Sequence, residues 1–120
     1  MAKILIAEDE DSLRRFVSRA LQMDGHDVDE APDGAAGLDQ LRQDMSYDLL
    51  LSDIRMPVMD GIELAHTAAA EFPELKILLM TGYAEQRERA ESLSSVIVDV
   101  VAKPFTLPDI RGAVAEALTI

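Results

Sequence analysis

A doubly wound α/β fold with a five-stranded parallel sheet is what this sequence predicts, on three observations. Short apolar runs rich in Ile, Leu and Val recur along the chain, and amphipathic periodicities of helical spacing lie between them. The 120 residues, 48% of them hydrophobic, can bury one core but not two. Runs apolar on both faces suit buried parallel strands. Strict strand–helix alternation then demands right-handed crossovers that cover both faces of the sheet.

The first strand is read at Lys3 to Ala7. Leu13, Phe16, Val17, Ala20 and Leu21 follow at three- and four-residue spacing, which gives the first helix its apolar stripe, and Asp11 and Ser12 are placed to cap it. A weaker second strand is expected at His26 to Glu30, where Gly25 can close the preceding helix and Pro32 blocks continuation. Ala35, Leu38 and Leu41 mark the second helix, and Leu49 to Ser52 the third strand. Asp60-Gly61 opens a third helix with Ile62, Leu64, Ala65, Ala68 and Ala69 on one side, and Lys76 to Thr81 reads as the fourth strand. The stretch Glu85 to Ser94 offers only Ala84, Ala90 and Leu93 as a buried face, so a short, weakly held helix is expected there. Val96 to Val101 forms the fifth strand, and Leu107, Ile110, Val114, Ala117 and Leu118 stripe the last helix.

The formal net charge of -12 excludes a surface that neutralises nucleic-acid phosphates or docks on anionic lipid. The absence of cysteine excludes disulfides, thiolate metal sites and a cysteine nucleophile, so a cytoplasmic setting is the expectation. The first apolar run meets Glu8 after four residues, far short of a signal-peptide core or a membrane span. No repeat or low-complexity segment interrupts the chain, and one domain over residues 1–120 is expected, with no output domain attached.

In doubly wound folds, ligands bind beyond the carboxyl ends of the strands, where strand order reverses. Those ends carry Glu8 and Asp9 after the first strand, Asp53 after the third, Thr81 at the fourth and Lys103 after the fifth. Three carboxylates with ordinary pKa values near ~4 repel one another unless a cation or a raised pKa relieves them. Oxygen ligands alone, with both histidines elsewhere, favour the hard ion Mg²⁺, which keeps waters that a phosphate oxygen can replace. A single aspartate after a strand is more often a helix cap, but the set at four strand ends argues for a phosphate-handling site.

The blocks ILIAEDE, LLLSDIRMPVMDG, LLMTGYA and VVAKPF, in this order and spanning the chain, resemble the signature motifs of response-regulator receiver domains. The resemblance implies a flavodoxin-like (βα)5 fold with strand order 2-1-3-4-5. It also implies that Asp53 accepts a phosphoryl group from a histidine kinase or histidine phosphotransfer protein. Asp9 would bind Mg²⁺ directly, Glu8 directly or through water, and the backbone carbonyl of Arg55 would complete the protein ligands. Thr81 and Lys103 would each contact a phosphoryl oxygen, with a cis Lys103-Pro104 peptide aiming the lysine, while Pro57 and Gly61 shape the loop after Asp53. The implied protein is a two-component phosphorelay regulator, a signalling domain and not a turnover enzyme. The finer resemblance, carried by MAKILIAEDE and DIRMPVMDGIELA, is to CpdR-type single-domain regulators of alphaproteobacteria, which prime the ClpXP protease in their unphosphorylated form.

Two departures from the pattern are visible. Glu8-Asp9 replaces the paired aspartates common in receivers, and Val100 occupies the position of an aromatic switch residue. The response is therefore expected to run through Thr81 and a neighbouring protein-binding face, with Tyr83 the nearest ring. Two rival readings of the same residues are a phosphorylation-independent binding module and a Mg²⁺-dependent phosphohydrolase, the latter without a second catalytic acid or base or a Walker-type loop.

Overall fold

In the computed structural model, which describes residues 2–82, 88–90, 93 and 95–120, the strands are β1 (Lys3–Ala7), β2 (Asp27–Ala31), β3 (Leu49–Asp53), β4 (Lys76–Thr81) and β5 (Asp99–Ala102). The helices are α1 (Asp11–Met23), α2 (Gly34–Gln43), α3 (Gly61–Glu71) and α4 (Leu107–Leu118). All pairings are parallel, in the order β2-β1-β3-β4-β5.

Period-two alternation explains how one sheet supports two cores. Leu5, Ala7, Leu50, Ile77 and Leu79 face α2 and α3, whereas Ile4, Ile6, Leu49, Leu51, Leu78 and Met80 face α1 and α4. The central strands β1, β3 and β4 are almost wholly buried, so both residue sets must be apolar. The edge strands differ. β2 reads DVDEA and β5 DVVA, and each leaves charged positions in water.

Several expectations are adjusted by the packing. β2 lies one residue later than His26 to Glu30, because Ala31 pairs with Ala7 and its carbonyl accepts from the Glu8 amide. β5 is shorter than Val96 to Val101. Residues 96–98 approach β4 in a turn, with the Val98 amide on the Ile77 carbonyl, before the ladder starts at Asp99. Asp53 is the last residue of β3, not the first beyond it, and Asp53 is paired with Met80. Phe16, assigned to the stripe of α1, points outward and is 41% exposed. Neither Asp11 nor Ser12 caps α1: Glu10 takes the N-cap position without a side-chain cap bond, and Asp11 turns to Arg14. Within Glu85 to Ser94, residues 88–90 are helical, and Ala90 and Leu93 are buried as expected. Ala84 and the rest of that stretch, like Tyr83, lie outside the described residues.

The loop from β3 into α3 is tightly determined. The Met59 amide donates to the Pro57 carbonyl at 2.8 Å, closing a three-residue turn around Val58, whose φ is 70°. A β-branched residue there is strained, since its Cβ crowds the backbone. The Gly61 amide then bonds the Ile54 carbonyl at 2.7 Å, and a Cβ on Gly61 would stand 2.1 Å from the Asp53 carbonyl oxygen. Gly34 supports the same loop, because a Cβ there would stand 2.3 Å from the Met59 carbonyl oxygen. Asp60 caps α3 through the Glu63 amide.

Two measurements test this account of the loop. Urea unfolding of Val58→Asn should show a gain of about 1 kcal/mol, as asparagine tolerates positive φ. Gly61→Ala should lose about 1–3 kcal/mol, because the added methyl has only backbone to displace.

Candidate functional site

The carboxyl ends of β1 and β3 lie side by side, with Ala7 paired to Ser52, so the residues that follow share one end of the sheet. One carboxylate oxygen from each of Glu8, Asp9 and Asp53 lies within 4.8 Å of the others. These residues line a cavity of about 730 Å³ with Glu10, Leu13, Arg55, Gly82, Lys103, Pro104 and Phe105. Asp9 is exposed, whereas Glu8 is 1% and Asp53 7% exposed.

Lys103 stands between the two buried carboxylates, 3.0 Å from Glu8 Oε1 and 3.2 Å from Asp53 Oδ2. It is held there by its backbone. The Lys103 amide donates to the Thr81 carbonyl at 2.8 Å, and the Lys103-Pro104 peptide is cis, as the resemblance implied. Thr81 ends β4 at 3% exposure, one residue before the cavity-lining Gly82. Val100 lies half-buried in β5 opposite Leu79, and among the described residues the ring that lines the cavity is Phe105.

Electrostatics distinguish the carboxylates. Burial is the main force pushing the Glu8 carboxyl up to about 7; the Asp53 and Asp9 carboxylates add to it, and the hydrogen bonds from Lys103 and the Glu10 amide oppose it. For Lys103, burial works against the ammonium, but Glu8 and Asp53 together outweigh it and hold its pKa above the ordinary value. The cluster therefore carries more negative charge than one ammonium balances. A hard divalent cation fits what is present: three carboxylates, no sulfur, and no imidazole close by. His26 accepts from the Ala2 amide at the opposite end of the sheet, and His66 is exposed on α3. His26 is thus half-buried.

The structure brings together Glu8, Asp9, Asp53 and Lys103, and Arg55 lines the same cavity. Met56 and Met80 are core residues and Met59 is half-buried in the loop, in keeping with packing roles. Sequence reading missed Gly34 and Arg14. The Arg14 guanidinium donates to the Glu8 carbonyl at 2.8 Å, to Asp11 Oδ1 at 2.7 Å and to Glu30 Oε1 at 3.1 Å. Its signal was the run of four acids followed by a cation one helical turn later.

A doubly wound parallel sheet in this strand order, with a carboxylate cluster and a lysine at the ends of β1, β3 and β5, defines a class of signalling module. The chain belongs to the response regulator receiver domain family, which it matches over residues 4–115. Among curated relatives it is 39% identical over 118 residues to the response regulator receiver protein CpdR of Brucella abortus, spanning 98% of both chains, which supports a CpdR-type single-domain regulator. It is also 37% identical to the regulatory protein AtoC of Escherichia coli, of which it spans only 25%. Among solved structures, the response regulator TrrA of Thermotoga maritima, crystallised in complex with Mg²⁺-BeF, superposes with a TM-score of 0.88 at 29% identity, covering 98% of this chain and 99% of that one. No helix among the described residues is long and apolar enough to cross a membrane.

The raised Glu8 pKa has a thermodynamic sign. A folded-state value above the unfolded 4.5 stabilises the protein most below 4.5, and that contribution is lost as the pH rises through about 7. Without divalent cations, wild type should therefore lose stability relative to Glu8→Gln by about 2–4 kcal/mol between pH 4 and pH 8, measured by chemical denaturation. A pH-independent difference would contradict the assignment.

Proposed function

We propose that this protein is a receiver controlled by phosphorylation of Asp53, with one such domain over residues 1–120. The observation that carries the reading is the junction of a nearly buried Asp53 carboxylate with two further carboxylates and one lysine in an open cavity. Structural ion-pair networks seldom leave a surplus of carboxylates facing a cavity, whereas acceptor sites need that surplus for a cation.

In the proposed reaction, an Asp53 carboxylate oxygen attacks the phosphorus of a phosphohistidine on a histidine kinase or phosphotransfer protein. The new O–P bond forms as the P–N bond breaks, and the electron pair leaves with the imidazole nitrogen. Glu8, Asp9, Asp53 and the Arg55 carbonyl would hold Mg²⁺. The ion, when bound, supplies positive charge against the phosphoryl oxygens. Lys103 already touches Asp53, and a small shift of its ammonium would place it on a phosphoryl oxygen. Thr81, beside it, would offer its hydroxyl to another. Because the Thr81 carbonyl anchors the Lys103 amide, the two report on the modified state together.

The output is proposed to be a protein contact governed by this state. Similarity to CpdR over nearly the full length of both chains supports a target of the kind implied by CpdR-type regulators, the ClpXP protease, as the particular candidate. A cytoplasmic setting accompanies that reading.

Incubation with acetyl phosphate and Mg²⁺, followed by intact mass, should add one phosphoryl group to wild type and none to Asp53→Asn. A label that persists in the variant would overturn the acceptor assignment, and multiple turnovers on phosphoesters would point to a hydrolase. Identical partner binding by both proteins, with or without phosphodonor, would favour the phosphorylation-independent module. Lys103→Ala should still accept phosphate, at a reduced rate, while the amide shifts around Thr81 that accompany phosphorylation disappear.

A further inference from the structure

Glu8, Asp9, Glu10 and Asp11 are four consecutive acids, and they form the turn from β1 into α1. Repulsion within such a run favours opening the turn. The N-cap residue Glu10 makes no side-chain cap bond, although its amide donates to Glu8 Oε2 at 3.2 Å within the turn. The restraint that reaches beyond the turn to α1 and β2 comes from Arg14, whose side chain is only 12% exposed. Its Nη1 donates to the Glu8 carbonyl at 2.8 Å, Nη2 to Asp11 Oδ1 at 2.7 Å, and Nε to Glu30 Oε1 at 3.1 Å.

These bonds link three separate elements: the end of β1, the first turn of α1 and the end of β2. On the other side of the same residue, the Glu8 amide donates to the Ala31 carbonyl at 3.1 Å. Both backbone polar groups of Glu8 are thus tied down, one to β2 and one to Arg14. A planar guanidinium suits this task, because its donors diverge at fixed angles toward three acceptors, whereas a lysine ammonium is a point charge.

We propose that Arg14 is a positioning residue for the cation site. It fixes the Glu8-Asp9 backbone so that both carboxylates converge on Asp53, and it acts through that backbone without touching the ion. The inference rests on reading Glu8, Asp9 and Asp53 as cation ligands. Its sign separates it from simple electrostatics. A nearby positive charge opposes cation binding, so removing Arg14 for its charge alone would tighten Mg²⁺ binding. Removing it as a brace would weaken binding despite the lost positive charge.

The experiment is titration of metal-free protein with MgCl₂, followed through the amide resonances of Asp9 and Asp53, with thermal unfolding in parallel. Arg14→Ala should raise the Mg²⁺ dissociation constant about tenfold, the scale of losses when residues that orient metal ligands are removed. Arg14→Lys, which keeps the charge but not the fork, should be weakened as well. Glu30→Gln leaves Arg14 in place with one partner fewer, and should show a smaller loss; it keeps the test informative if Arg14→Ala fails to fold. Equal or tighter binding in the folded Arg14 variants, alongside a wild type that binds and an Asp53→Asn variant that binds weakly, would overturn the positioning role alone. If wild type shows no Mg²⁺-dependent shifts, or Asp53→Asn shows the same shifts as wild type, the cation-site reading fails and this inference falls with it.

Discussion

The charge imbalance at the carboxyl ends of β1 and β3 is the constraint on which the rest of this structure turns. Glu8 is almost completely buried and Asp53 nearly so, and they share one ammonium at 3.0 and 3.2 Å. Removing carboxylates from water is expensive, and a single partner seldom compensates two of them. The protein tolerates this because Glu8 can keep its proton, as its pKa of about 7 indicates, and because the cavity is open to an incoming cation. The same imbalance that weakens the cation-free fold makes the site receptive to positive charge.

Everything around the cluster serves to hold these groups near one another. The parallel register of β1 and β3 brings their ends level, the strained turn at Val58 and the close approach of Gly61 to the Asp53 carbonyl hold the following loop, and the Thr81 carbonyl fixes Lys103. Such backbone strain persists only where surrounding contacts over-determine it, and here the α2 N-terminus at Gly34 and the Gly61–Ile54 hydrogen bond provide those contacts. The elements far from the cavity are ordinary by comparison, with α4 fastened to α1 through the Arg111–Asp24 ion pair.

The fold was legible because the middles of the central strands are buried on both faces and therefore apolar, while the helices between them show one stripe each. β1 and β4 were read to the residue for that reason. The edges were less legible: β2 and β5 carry charges in water, so neither periodicity nor apolarity marks where their ladders begin. Phe16 shows the same limit, since a helical spacing fits the core stripe while the neighbouring helix leaves that position open. The candidate site was legible as a set of residue types at strand ends. Arg14 was not, because its three acceptors lie in the β1–α1 turn, the first turn of α1 and β2, and only folding makes them neighbours.

The amino-acid sequence by itself determined the order of strands and helices, the burial of the middle of the sheet, and the identity of the acids and the lysine that follow the strands. These are local properties, written in periodicity, turn chemistry and motif spacing. Tertiary structure alone decided which carboxylate is buried, that Lys103 bridges Glu8 and Asp53, and that Arg14 ties the acidic turn to β2. Those outcomes depend on distances between residues up to 95 positions apart, such as Glu8 and Lys103, and on desolvation, which arises only when the sheet and its helices close around them.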